Sequence, residues 1–234
     1  MKKIGIIGGL GPEATVDYYN GIINSFKKKS SDLNYPEILI YSVNLSEFLD
    51  FMNRKEYNMV VKLLLQKIDS LKKAGADFVA MTANTPHLLF NEIEERSALP
   101  MISIVEATCR YAKKSGLKKP ALLGTGFTMR ETFYQDVFGR EGLKIEVPVS
   151  EDRDWIHEKL FTEIELGIFK DETRDGLERI IGRMKQENTV DSVILGCTEL
   201  PLILEEKSYS GIPALNTTQI HVDEIVKYCL GEDK

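Results

Sequence analysis

The sequence predicts an α/β protein that contains two similar units built on parallel sheets. Three observations lead to this fold class. Short apolar runs alternate with longer amphipathic stretches along the chain. The apolar runs are continuous, which is typical of parallel strands buried on both faces. A pattern in the first half of the chain returns in the second half, and such internal repetition indicates repeated structural units.

Each predicted strand is a short run of apolar, often β-branched residues, and each predicted helix is a longer stretch with one apolar face. The strands are predicted at 3–7, 38–43, 77–81, 101–104, 120–123, 144–147, 192–195 and, with a weaker pattern, 214–215. The helices are predicted at 13–28, 57–74, 91–97, 128–137, 153–167, 171–186 and 217–230.

The repeat is clearest in two strand-and-turn segments. "DFVAMTANTPHLLF" begins at Asp77 and "DSVILGCTELPLIL" begins at Asp191, and their alignment places Ala83 opposite Cys197. We expect two pseudo-symmetric Rossmann-like (flavodoxin-like) units with a cleft between them, because open parallel sheets bind ligands beyond the carboxyl ends of their strands. The first unit is predicted at 1–104, completed by a C-terminal helical segment at 209–234, and the second at 105–208.

Composition excludes several classes of function. The chain has 234 residues and a formal net charge of −6, which argues against nucleic-acid or membrane partners because those surfaces select basic clusters. No stretch resembles a signal-peptide core or a membrane span. The three cysteines are an odd number without C-x-x-C spacing, and the three histidines are scattered. These counts predict a cytoplasmic protein with no disulfide framework and no metal site.

Four motifs occur in order along the whole chain: "IGIIGGLGPEAT", "ANTPH", "LLGTGFTM" and "GCTELP". Together they resemble the aspartate/glutamate racemase superfamily, and within it the aspartate-racemase branch. The resemblance implies a homodimeric amino-acid racemase that needs neither pyridoxal phosphate nor a metal. It implies a small amino acid or dicarboxylate as substrate, and two cysteines, one from each unit, that act as thiol and thiolate.

The sequence departs from the family pattern at the first of these cysteines, where Ala83 stands. An alanine methyl group cannot transfer a proton. Thr82 or a bound water could substitute, but Thr82 is one residue away and adjacent side chains on an extended strand point to opposite faces. The second family cysteine is present as Cys197, and we expect a helix N-terminus near Thr198 to lower the pKa of its thiol.

The remaining candidate site residues lie in the turns that follow the predicted strands. Asn84 and Thr85 suit helix capping as well as anion binding, and the resemblance favours contacts with a substrate carboxylate. The glycines of the first turn do not form G-x-G-x-x-G, so a dinucleotide site is not predicted. The predicted substrate-binding residues are Gly9, Leu10, Asn84, Thr85, Thr125, Thr128, Thr198 and Glu199.

Three functions remain open from the sequence. The first is a cofactor-independent amino-acid racemase or epimerase that uses Cys197. The second is a lyase of the decarboxylase type, in which proton delivery from one side needs a single thiol. The third is a binding protein for small carboxylates that has no catalytic turnover.

Overall fold

The computed structural model describes residues 1–29 and 32–232. The chain folds into two compact units. The first unit contains Met1–Ile104 together with Thr218–Lys234, and the second contains Val105–Thr217.

The first unit is built on a parallel sheet with the strand order β2-β1-β3-β4. Its central strand β1 is fully buried and pairs on one side with β2 and on the other with β3, which explains why both β1 and β3 are continuous apolar runs. The elements are β1 (Ile4–Gly8), α1 (Pro12–Lys29), β2 (Ile38–Ser42), α2 (Leu45–Asn53), α3 (Tyr57–Lys73), β3 (Phe78–Met81), a 3-10 helix (Thr85–Leu89), α4 (Phe90–Arg96) and β4 (Met101–Ile102).

The second unit is built on a sheet with the strand order β5-β6-β8-β7. Strands β5, β6 and β8 are parallel, and the short β7 pairs antiparallel with β8 at the edge. The elements are α5 (Ile104–Lys114), β5 (Pro120–Gly124), α6 (Gly126–Arg130), α7 (Phe133–Arg140), α8 (Ser150–Thr162), a 3-10 helix (Ile164–Leu166), α9 (Asp171–Asn188), β6 (Ser192–Gly196), a 3-10 helix (Leu200–Leu202), β7 (Ser208–Tyr209) and β8 (Ile212–Asn216), after which α10 (Thr217–Leu230) returns to the first unit.

The two sheets share a topology. β1 and β5 occupy equivalent positions, and each pairs with the strand that precedes the candidate catalytic turn, β3 in the first unit and β6 in the second. Glu146 forms a parallel bridge with Ala121 on the outer side of β5, where β2 lies beside β1 in the first sheet. The predicted α/β class with parallel sheets is therefore confirmed.

Helix α10 completes the core of the first unit. Its apolar residues pack with β1, β3 and α1, and His221 is fully buried among them. Nε2 of His221 donates to the Ile102 carbonyl oxygen over 2.9 Å, so Nδ1 accepts a hydrogen bond from the Tyr18 hydroxyl over 2.8 Å. This pair of bonds ties the C-terminal helix to β4 and α1.

Several predicted elements differ from the structure. Residues 209–217, which the sequence assigns to the first unit, lie in the second, because β8 pairs with β6. The predicted helix 128–137 is two helices, α6 and α7, that are separated at Glu131 and Thr132. The predicted strand 144–147 is reduced to the single bridge at Glu146. The predicted helix 153–167 starts earlier, at Ser150, and ends in a 3-10 turn before Gly167.

Within residues 1–29 and 32–232, no helix combines the length and the apolar character that crossing a membrane would require.

We predict that Gly9→Ala destabilises the first unit more than Gly75→Ala. Both glycines have positive φ, 77° and 101°, a region that costs an alanine about 1–2 kcal/mol. A Cβ at Gly75 would meet no atom of the described chain within 4 Å, whereas a Cβ at Gly9 would overlap the Val43 carbonyl oxygen. In urea unfolding, Gly9→Ala should lower the free energy of unfolding by about 1 kcal/mol or more beyond the decrease caused by Gly75→Ala. Equal losses would contradict the packing of this turn.

Candidate functional site

Cys197 lies directly after β6, at the carboxyl end of a strand that is buried along its whole length. Its side chain is buried, and its Sγ donates a hydrogen bond to Oε2 of Glu199 over 3.0 Å. The hydroxyl of Thr198 donates to the same oxygen over 3.0 Å. Oε1 of Glu165 lies 3.9 Å from the same sulfur. The thiol is thus in contact with two carboxyl groups.

Glu165 reaches this position from the 3-10 turn that follows α8. Glu163, two residues before Glu165, is buried and anchors the turn. Its Oε1 accepts hydrogen bonds from Lys159 over 2.7 Å and from Lys170 over 3.0 Å, and its Oε2 accepts one from the Thr173 hydroxyl over 2.5 Å. These donors lower the pKa of Glu163 to about 2. An ionised Glu163 therefore fixes both ends of the segment that presents Glu165.

The environment of Cys197 favours its protonated form. Burial raises the pKa of the Cys197 thiol well above its usual value, and the negative charges of Glu199 and Glu165 raise it further. Burial, followed by the charge of Glu199, raises the pKa of Glu165 to about 8. At neutral pH the thiol and Glu165 therefore both hold protons.

The expectation of a helix N-terminus near Thr198 is corrected, because the chain after Glu199 forms a 3-10 turn of three residues, Leu200–Leu202, and not an α-helix. The backbone N–H of Glu199 does lower the pKa of the Cys197 thiol, but burial and the two carboxyl groups outweigh it, so that the pKa is raised.

The same three side chains form the candidate ligand set for a metal ion. Sγ of Cys197 and one carboxyl oxygen each from Glu165 and Glu199 lie within 4.8 Å of one another. A cation there would have to displace the thiol proton, since the thiolate is the ligand form. The prediction that the protein binds no metal stays a prediction.

In the first unit, the equivalent turn after β3 contains no ionisable acid or base at the aligned position. Ala83 is buried, with 8% of its surface exposed. The Thr82 hydroxyl is fully buried and points back into the unit, where it donates to the Ile7 carbonyl oxygen over 3.4 Å and lies 3.4 Å from the Thr15 hydroxyl. These contacts make Thr82 a packing residue of the β1 turn and argue against its use as a substitute for the thiol.

His87 organises this turn. Its Nδ1 donates to the Ala83 carbonyl oxygen over 2.9 Å, because a carbonyl can only accept. Its Nε2 must then accept from the Ile104 N–H over 3.2 Å, which fixes a neutral imidazole. Burial lowers the pKa of His87 to about 4, and its ring stacks on Phe90. His87 connects the turn after β3 to the start of α5.

Gly9 and Leu10 form the tight turn between β1 and α1. The Gly9 N–H donates to the Thr15 hydroxyl over 2.9 Å, and Leu10 is buried. Because the Gly9 N–H already donates to Thr15, Gly9 would contribute to substrate binding through the shape of the turn and not through a hydrogen bond from its amide. The substrate-binding role of both residues stays a prediction.

The other predicted binding residues are buried near the strand ends. Thr125 caps α6, since its Oγ1 accepts from the Thr128 N–H over 3.3 Å and lies 3.2 Å from the Thr128 hydroxyl. Asn84 occupies the cap position of the 3-10 helix that begins at Thr85, and within the described chain its side chain forms no capping bond to that helix. Capping therefore explains Thr125 and does not explain Asn84. A substrate contact at Asn84, Thr85, Thr128 or Thr198 stays a prediction.

The two remaining cysteines are buried and lie in helices. The Sγ of Cys109 in α5 lies 4.0 Å from the Val137 carbonyl oxygen, and burial raises the pKa of Cys109 to about 11. The Sγ of Cys229 in α10 lies 3.1 Å from the Lys2 carbonyl oxygen. Both provide controls for the chemistry of Cys197.

The sequence analysis missed Glu165. This residue lies 32 positions before Cys197, and only the tertiary structure brings them together. A weak signal exists in "FTEIELGIF", in which Glu163 and Glu165 interrupt an otherwise apolar stretch. Acidic residues at such positions need a buried partner or a functional reason.

Comparisons with known proteins agree with this architecture. A family model described as Asp/Glu/Hydantoin racemase matches residues 7–225. The broad specificity amino-acid racemase RacX of Bacillus subtilis is 26% identical over 236 residues, which cover 92% of each chain. The crystal structure of an aspartate racemase homologue from Pyrococcus horikoshii is 35% identical with a TM-score of 0.85, covering 98% of this chain and 100% of that one.

A second solved structure, the aspartate racemase of Picrophilus torridus, is 25% identical with a TM-score of 0.76, covering 97% of this chain and 94% of that one. The family match spans both sheets and both strand-end turns. This chain belongs to the Asp/Glu/Hydantoin racemase family.

Proposed function

We propose that this protein is a cofactor-independent amino-acid racemase in which Cys197 exchanges the α-proton of the substrate. The observation that carries the proposal is the hydrogen bond between the Cys197 thiol and the Glu199 carboxylate at the carboxyl end of β6. A thiol can remove an α-proton only as a thiolate, and Glu199 is placed to take the thiol proton.

The proton steps balance within the site. The Sγ–H proton moves to Oε2 of Glu199, which leaves a thiolate and a neutral carboxyl group without a change in the net charge of the cluster. The thiolate then removes the substrate α-proton and becomes a thiol again, while the electron pair remains on the substrate as a carbanion. When the same thiol returns the proton, the starting configuration is restored and Glu199 gives its proton back to the thiolate. When water delivers a proton to the opposite face, the enantiomer forms, and Glu199 passes its proton to the hydroxide that remains.

The family and the relatives support an amino acid as the substrate. RacX is named as a racemase of broad specificity, and the P. torridus protein is named as an aspartate racemase. A small amino acid or dicarboxylate would meet its acid–base group at Cys197. The homodimer, the cytoplasmic location and the independence from pyridoxal phosphate and metal remain parts of this proposal.

A second candidate is a one-thiol lyase of the decarboxylase type. The observation that favours it is the methyl group of Ala83 in the turn that aligns with the Cys197 turn. Proton delivery to a carbanion from one side needs only one thiol, so the second position is dispensable for such a reaction. The binding-protein alternative requires that neither exchange nor product is observed.

We predict that Cys197→Ala lowers α-proton exchange by about two to four orders of magnitude, the usual contribution of a general acid–base group. The measurement is deuterium incorporation at the α-carbon of L- and D-amino acids in deuterium oxide, followed by NMR. Racemisation would change both configuration and isotope, and one-sided exchange would change isotope only. Cys109→Ala removes a buried thiol from the same unit and should leave exchange unchanged. Full exchange in the Cys197→Ala protein would contradict the mechanism.

We predict that Glu199→Gln slows exchange by about 100-fold and also lowers the thiol pKa of Cys197. The amide can accept a hydrogen bond from the thiol but cannot take its proton, and the change removes a negative charge that raises the thiol pKa. The thiol pKa is measured from the pH dependence of iodoacetamide alkylation at Cys197, located by mass spectrometry. Glu205→Gln, an exposed charge neutralisation in the same segment, is the matched control. Faster exchange together with the lower thiol pKa would show that Glu199 is not the proton acceptor.

We predict that α-proton exchange by the native protein falls as the pH rises through about 8, the pKa of Glu165. An ionised Glu165 adds a negative charge beside Sγ and raises the pKa of the Cys197 thiol further, so transfer of the thiol proton to Glu199 yields less thiolate. The check is the exchange rate across a buffer series at constant ionic strength. A rate that rises steadily through pH 9 would contradict this transfer and show that the thiol loses its proton to the solvent.

A further inference from the structure

The turn 125–128, which contains the predicted binding residues Thr125 and Thr128, packs beside the strand end that carries Cys197. The ends of β5 and β6 are in register, so that Gly124 pairs with Gly196, the residue before Cys197. A Cβ on Gly196 would lie 3.4 Å from Cγ2 of Thr128, and a Cβ on Gly124 would lie 3.1 Å from Cβ of the same threonine. The turn therefore lies directly on the backbone that precedes the thiol.

His157 holds the backbone of this turn from the neighbouring helix α8. The Gly126 N–H donates a hydrogen bond to Nδ1 of His157 over 3.1 Å. A Cβ on Gly126 would lie 3.3 Å from both Cγ and Nδ1 of the same ring, so the imidazole packs closely on the turn. The ring also packs edge-on against Phe161, with 4.9 Å between the ring centroids. These contacts fix the imidazole against the first residue of α6.

Only the neutral imidazole can form this hydrogen bond. A backbone N–H can only donate, so Nδ1 of His157 is unprotonated and Nε2 carries the proton. Within the described chain, the charged groups that act on the ring are Arg130 on α6 and Asp154 on α8, which pair with each other. Burial, followed by the charge of Arg130, lowers the pKa of His157 from its usual 6.5, and Asp154 opposes this shift. The hydrogen bond is therefore present at neutral pH and is lost as the pH falls below 6.5 through the pKa of the folded protein.

Resting on the proposed function, we propose that His157 is a positioning residue: by accepting the Gly126 N–H, it holds the turn 125–128 in the conformation that binds the substrate beside Cys197. Helix α6 has only five residues, and a helix this short is not stable by itself, so bonds from neighbouring elements determine where its first turn lies. Loss of the acceptor loosens the turn and leaves the thiol and its carboxyl neighbours in place. The consequence is weaker substrate binding without slower proton transfer.

The first measurement follows the hydrogen bond itself. The amide NMR signal of Gly126 is recorded against pH together with the ring-proton signals of His157. We expect the amide signal to shift with the same apparent pKa as the ring, and we expect no such shift in His157→Asn, whose side-chain oxygen accepts an N–H and does not titrate. A Gly126 signal that does not follow the ring in the native protein would overturn the proposal, whatever reaction the protein catalyses.

The second measurement separates KM from kcat in α-proton exchange at pH 7, with a substrate that has no titratable side chain. We expect His157→Ala to raise KM about tenfold, the effect of one lost hydrogen bond, and to change kcat less than about threefold. His157→Asn should bring KM back to within about twofold of the native value. Glu158→Ala replaces the exposed neighbour on α8 and should leave both constants unchanged. Equal KM values in the native, His157→Ala and His157→Asn proteins would show that His157 does not position the substrate.

The pH dependence of KM distinguishes positioning from a merely structural role. As the pH falls through the pKa of His157, KM should rise in the native protein and stay level in His157→Asn. Glu165, with a pKa of about 8, titrates above this range. The native protein supplies both forms of the imidazole, so this comparison decides the proposal even where His157→Ala does not fold.

The two proposals fail in different ways. Absence of exchange with every amino acid, in a native protein that folds normally, would overturn the proposed function and the substrate positioning with it. Exchange that Cys197→Ala abolishes, with a native KM that stays level while His157 titrates, would overturn the role of His157 and leave the racemase proposal intact.

Discussion

The hydrogen bond from the Cys197 thiol to the Glu199 carboxylate is the interaction on which the proposed chemistry depends. The two groups are buried at the end of β6, and Glu165 lies within reach of the same sulfur. Three acids in one small space cannot all ionise, since each new negative charge raises the pKa of the others. The thiol and Glu165 therefore hold protons at neutral pH, and in the proposed mechanism the thiolate forms when the thiol proton passes to Glu199.

The rest of the second unit holds this cluster in place. Strand β6 fixes Cys197, and its pairing with β5 and β8 gives the strand end a rigid position. The ionised Glu163 holds the turn that carries Glu165, and it does so through two lysines and one threonine hydroxyl. Glu163 and Glu165, two residues apart, differ in their ionisation. Hydrogen bonds from Lys159, Thr173 and Lys170 lower the pKa of Glu163 to about 2. Burial, followed by the charge of Glu199, raises the pKa of Glu165 to about 8.

The sequence predicts those parts of the molecule that depend on local pattern. The buried strands β1, β3, β5 and β6 are continuous apolar runs, and the repeat marks Cys197 as the residue that follows the second of the two turn strands. Short edge strands are harder to predict from the sequence. One example is β7, which has two residues and depends on its pairing with β8. The break between α6 and α7 is not visible in the apolar periodicity. Glu165 could not be predicted as a neighbour of Cys197, because their contact depends on how α8 ends and on the anchor at Glu163.

The turn of the first unit is held together without any contribution from the side chain at position 83. Thr82 bonds to the Ile7 carbonyl oxygen, and His87 holds the Ala83 carbonyl oxygen on one side and the Ile104 N–H on the other. Every one of these bonds to the turn uses the backbone or a neighbouring side chain, and none uses the side chain at position 83. Alanine therefore fits the turn without loss of its supporting contacts. Under the proposed mechanism only Cys197 carries an acid–base group, and the configuration of the exchanged product would then report which face of the carbanion receives the proton.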